Sequence, residues 1–88
     1  MKAWAKIITD NKITGSIVID APAGSDTRRL ISRSLELVCP ALDLQQPIIL
    51  NKHVKDMDHY SRVKFTAEHF TEQIYFDRLE LEVYSLEK

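Results

Sequence analysis

Three histidines, one cysteine and a scatter of carboxylates are the residues of this chain whose types could do chemistry. His53, Asp56 and Tyr60 are spaced i, i+3 and i+7, which puts them on one face of a helix if that stretch is helical. A carboxylate one turn from an imidazole can orient it as a general base, so these three are the candidate catalytic set of a small hydrolase or metal-dependent enzyme. The same spacing also serves an ordinary surface pair. No Ser, Cys or Thr nucleophile is placed to complete a triad, and no Gly-rich oxyanion loop accompanies the histidine.

Metal chemistry finds less support. His53 and His59 point in directions that differ by roughly 240° on one helix, so they cannot share an ion there. The chain has no HExxH, no CxxC and no EF-hand loop, and His69 or a carboxylate would have to be brought in by the fold. The expectation is no tightly bound metal and no organic cofactor. Cys39 precedes a proline at a helix end and reads as a small buried hydrophobe, since reactive thiols favour helix N-termini. Pro22-Ala23-Gly24-Ser25 stands where a phosphate loop would, between a strand and a helix. It has one glycine and no lysine at the required place, and Asp26 opposes an anion.

The elements that must position these groups follow from periodicity. Residues 2–9 alternate as a strand, with Ala3, Ala5 and Ile7 on one side and Lys2, Trp4, Lys6 and Ile8 on the other. Asp10-Asn11-Lys12 carries turn chemistry, and the β-branched run 13–19 completes a hairpin in which Gly15 marks a bulge or weak point. Leu30, Ile31, Leu35 and Val38 share one face of a helix expected over about 26–38, with Ser25 as N-cap and Pro40 forcing Cys39 out of helical geometry. A shorter helix is expected over 51–60 with Asn51 as cap, against a rival strand over 48–52. Arg62–Phe65 reads as a short strand, Thr66 as the cap of a single turn carrying Phe70, and residues 78–84 as a strand with Leu79, Leu81 and Val83 inward.

These elements sum to an α+β fold: a small, mainly antiparallel sheet, built from an N-terminal hairpin and a C-terminal strand, with one long and one short helix on one face. Complementary charges on Lys2 and Lys6 and on Glu80 and Glu82 predict that the first and last strands are neighbours. The 88 residues suit one domain, 1–88, of about 4–13 kcal/mol total stability. No apolar run approaches a membrane span, and a single cysteine calls for no oxidising compartment, so a cytoplasmic setting without a membrane partner is expected.

Composition narrows function. Residues 1–65 carry ten Lys/Arg against seven Asp/Glu, and residues 66–88 two against six. The pI of about 6.3 argues against nucleic acid, leaving weak binding through Arg28, Arg29 and Arg33 with Lys52, Lys55, Arg62 and Lys64 as a minor alternative. Alternation turns Trp4, Ile8 and Tyr84 away from the helix layer, and Trp and Tyr are hot-spot residues. The expected function is therefore a non-enzymatic interaction or subunit module whose partner is itself or another protein. Trp4-Ala5-Lys6-Ile7-Ile8, Pro47 to Val54 and Phe76-Asp77-Arg78-Leu79-Glu80 together resemble short bacterial proteins of uncharacterised function. That resemblance implies no activity and no site residue.

Overall fold

The computed structural model describes residues 2–21 and 26–84. Strand β1 (Lys2–Thr9) turns at Asp10 and Asn11 into β2 (Lys12–Asp20). Both turn residues have positive φ, 53° and 65°, which suits a two-residue hairpin whose twist matches its strands. Helix α1 (Thr27–Ala41), helix α2 (Asn51–Tyr60), strand β3 (Arg62–Thr66), a 3₁₀ turn (Ala67–His69) and strand β4 (Arg78–Tyr84) follow. The four strands form one antiparallel sheet in the order β2-β1-β4-β3. The fold is the small α+β arrangement that the alternation implied.

β1 and β4 are neighbours and antiparallel, with Lys6 opposite Glu80 and Lys2 opposite Tyr84. The charge pattern works as a cross-strand device: Lys6 Nζ lies 3.1 Å from Glu82 and 3.7 Å from Glu80. The Lys6 ammonium also sits 4.2 Å from the centre of the Trp4 ring. These groups enclose it, leaving Lys6 only 8% exposed on a sheet face that carries no helix. Such a desolvated lysine is tolerable because two carboxylates and an aromatic face replace its water.

The opposite face holds the core. Ala3, Ala5 and Ile7, Val63 and Phe65, and Leu79 and Leu81 pack with Ile31, Leu35, Val38 and Cys39 of α1 and Met57 of α2. Ile17, Ile19, Leu30 and Val83 border this cluster. Phe70 and Phe76 join the same cluster, meeting edge to face at 5.8 Å, rather than folding over the Trp4 face. The strand shift falls between Ile7 and Ile8, where Gly15 opposes Ile7 and Ile13 opposes Ile8, leaving Thr14 as the extra residue.

Three local expectations change. The long helix does not stop before Pro40 but runs through it to Ala41. Proline there removes one N–H in the last turn, and the end is closed instead by Leu42 N–H to Val38 O and Leu44 N–H to Cys39 O. The N-cap is Asp26, whose side chain accepts from Arg29 N at 2.8 Å; Ser25 and the Pro22–Ser25 loop lie outside the described residues. Asp26→Ala is therefore expected to destabilise the chain by about 1 kcal/mol, read as a lower urea midpoint, and an unchanged midpoint would remove the cap's role.

The third change concerns α2, which begins at Asn51 as expected but takes Leu50, not Asn51, as its N-cap. Leu50 lacks a side-chain acceptor, and His53 Nδ1 reaches back to the Leu50 N–H at 2.8 Å instead. That bond favours the helix over a strand across 48–52. Asn51 uses its side chain differently, accepting from Arg28 at 2.8 Å and tying α2 to α1. Thr27 and Asp58 make a second polar tie between the two helices.

Candidate functional site

α2 and β3 are joined by Ser61 alone, in the left-handed conformation at φ 58°, so the helix folds back beside the strand that follows it. Two open depressions lie along their junction. One, of about 320 Å³, is lined by Asp56, Tyr60, Arg62, Val63 and Lys64. The other, of about 300 Å³, shares Asp56 and Lys64 and extends past His53 and Thr66 to Glu68 and His69. His53, Asp56 and Tyr60 therefore do share one helix face, and that face borders a groove.

Within the groove the three residues stand in different environments. His53 is buried, at 1% exposure, whereas Tyr60 is 68% exposed. Asp56 is exposed and makes no hydrogen bond to His53 among the described residues. The His53 partner is the backbone, through Nδ1, which assigns its proton to Nε2. His69 repeats the arrangement: its Nδ1 accepts from Thr66 N–H at 3.0 Å. Each histidine is thus the third residue after a helix-cap position, and each ring serves as acceptor for that cap's amide.

The two rings meet edge to face, 4.5 Å apart, and His53 lies 4.4 Å from Phe65. Burial, the nearby His69 and the Lys52 ammonium push His53 down to about 4, far below an ordinary imidazole. Burial and Lys52 also lower His69, whose Nε2 lies 3.5 Å from the Glu68 carboxylate. Both rings are neutral near neutral pH with the proton on Nε2, and the buried His53 Nε2 has no hydrogen-bond partner among the described residues. A nitrogen that carries a proton cannot ligate a metal, and the other nitrogen of each ring is taken by an amide. No group of three or more His, Cys, Asp or Glu side chains able to hold a metal occurs among the described residues.

His69 entered the sequence reading only as a group the fold would have to bring in, and the fold brings it against His53. Its signal was present in the spacing, since His69 stands three residues after the expected cap Thr66; for His53 it was not, since the expected cap there was Asn51. Burial raises the Cys39 thiol to about 11, so it stays protonated in the core. Of the basic residues, Arg28 bonds to Ile49 O and Asn51, Arg62 and Lys64 stand on β3 and line the first depression, and Lys52 joins Lys64 along the second.

The second candidate surface is the helix-free face of the sheet. Trp4 stands between Val18 on β2 and Glu82 on β4, and Tyr84 lies opposite Lys2. Trp4 and Tyr84 are half-buried and Val18 is 49% exposed, so all three reach the surface. Ile8 points to this side but is 5% exposed, at the end of β1 where Asp77 N–H bonds to its carbonyl. It underlies the patch rather than forming its surface. No helix among the described residues is long and apolar enough to cross a membrane. No family model, no curated protein and no solved structure matches the chain.

Proposed function

We propose that the chain is a non-enzymatic protein-interaction module that associates with a second copy of itself through the helix-free face of its sheet. The observation that supports this reading is the one-sided layering. Every buried apolar residue of α1 and α2, with Phe70 and Phe76, belongs to the core on the Ala5 side, and Trp4, Val18 and Tyr84 occupy the other. An open sheet face in a small domain is ordinarily polar, and a Trp at the centre of one calls for a partner.

A second copy fits the charges of that face. Lys2 pairs with Asp20, Lys6 with Glu82 and Arg78 with Glu80 within the chain, so two copies can meet on that face without burying an unpaired charge. A cytoplasmic setting belongs to the same reading, supported by the lone, buried cysteine.

Sedimentation equilibrium on the wild type and on Trp4→Glu tests it. The wild type is expected to be dimeric at high micromolar concentration and the variant monomeric and folded, because a carboxylate at the patch centre would have to be buried unpaired. A monomeric wild type removes the self-association, and a folded variant that associates as strongly removes Trp4 from the contact.

A further inference from the structure

The groove between α2 and β3 has a property independent of the sheet-face reading. β3 is an edge strand, paired with β4 alone. Val83 N–H bonds to Ser61 O, so residues 61, 63 and 65 turn their backbone groups toward β4, and by the antiparallel alternation Arg62, Lys64 and Thr66 turn theirs away. The bond from Thr66 N–H to His69 Nδ1 agrees with that phase and covers the last of these amides. Arg62 and Lys64 are left presenting N–H and C=O outward. The consecutive residues Arg62, Val63 and Lys64 all line one depression, which happens at a strand's edge and not on its face, where only alternate residues appear.

We propose that this edge takes a fifth strand: an extended peptide segment of a partner protein, with acidic residues at alternate positions, laid between β3 and the Asp56–Tyr60 side of α2. The chemistry is set by the cations. Glu80 and Glu82, which lie opposite Lys64 and Arg62 in register, spend their carboxylates on Lys6 and Arg78. Neither Arg62 nor Lys64 has a carboxylate within ion-pair distance among the described residues. Both lie on the same face of β3, two residues apart, so an added strand meets them with every second side chain. Its intervening side chains turn to the α2 side, beside Tyr60 and bordered by Asp56, so apolar and not acidic residues suit there. β4 already carries this alternating pattern on the other flank of β3, and the proposed segment mirrors it. Backbone bonds would supply affinity and the Arg62–Lys64 pair the selection for acid, the division of labour of strand addition.

A random peptide library screened against the full chain, with Lys64→Pro as counter-screen, tests the proposal. Proline is tolerated at an edge position whose N–H faces away from the ladder, so this change removes one outward donor and one cation. Enriched peptides are expected to alternate acidic and apolar residues and to bind Lys64→Pro at least roughly tenfold more weakly. The amides of Arg62 and Lys64 should exchange more slowly in the complex, while Trp4→Glu should bind the peptides as the wild type does. If Lys64→Pro does not fold, the doubly reversed Arg62→Glu, Lys64→Glu chain keeps both amides and should lose the acidic peptides. The proposal is overturned if nothing is enriched over a blank surface, if enriched peptides lack acidic residues, or if they bind the edge variants unchanged. It is equally overturned if they are lost in Trp4→Glu.

Discussion

Phe65→Ala is expected to lower the stability of the chain by about 3–5 kcal/mol, the usual range for emptying a fully buried phenylalanine site. Phe65 is 0% exposed, stands opposite Leu79, and packs its ring 4.4 Å from His53 and 6.3 Å from His69. It is where the short edge strand, α2 and the 3₁₀ turn meet, so the cavity would be walled by elements joined through short connections and unable to collapse far. A chain of this size has about 4–13 kcal/mol in all, so much of the variant should be unfolded or close to it at room temperature. Urea denaturation at neutral pH measures the loss. Val18→Ala, at a half-exposed position on the other face, should stay within about 0.5 kcal/mol of wild type. A Phe65→Ala loss below about 1 kcal/mol would mean that this junction is not packed as described.

The second large effect is a loss of stability in mild acid. His53 is held down to about 4 in the folded chain against an unfolded value near 6.5, and His69 is lowered in the same direction. Below about pH 6.5 the unfolded chain takes up protons that the folded chain refuses, so stability present above that pH is lost as pH falls toward 4. For His53 alone the loss between about pH 7 and about pH 5 is about 2 kcal/mol. Protonation would also place a proton on the Nδ1 that accepts the Leu50 amide, turning the cap's acceptor into a donor, and set two like charges against each other. The nearby Lys52 opposes the proton, and Asp56 and Glu68 favour it too weakly to restore it. Glu80 is pulled the other way by burial but is lowered on balance by Arg78 and Lys6, and its contribution is lost only below the usual carboxylate range. Denaturant midpoints at the two pH values should therefore differ in the wild type and differ much less in His53→Gln. Equal midpoints in the wild type would refute the buried neutral pair.

His53, Asp56 and Tyr60 show how far local spacing reaches. The i, i+3, i+7 rule put them on one helix face, and they line one groove, because helical geometry is a local property of the backbone. Their burial was not legible in the same way. Whether His53 is a wet base or a buried acceptor depends on Phe65 and His69, which come from β3 and the turn after it. The outward set Trp4, Ile8 and Tyr84 divides likewise: alternation gives the side of the sheet, and the chain entering β4 decides which of the three is covered.

Where the sequence was sufficient by itself, the determining interactions are short-range or periodic. The hairpin of β1 and β2, the β4 strand and the neighbour relation of β1 and β4 all follow from alternation, turn residues and opposite charges. The ends of elements depended on more than their own residues. Pro40 reads as a stop by its own backbone, yet α1 continues through it because Val38 and Cys39 are held in the core and the lost bond falls in the last turn. Only the tertiary structure decided that β3 lies at the sheet edge, that two distant histidines touch, and that Lys6 is buried. Each of these depends on which segments become neighbours, and non-local neighbours carry no signature in the sequence of either partner alone.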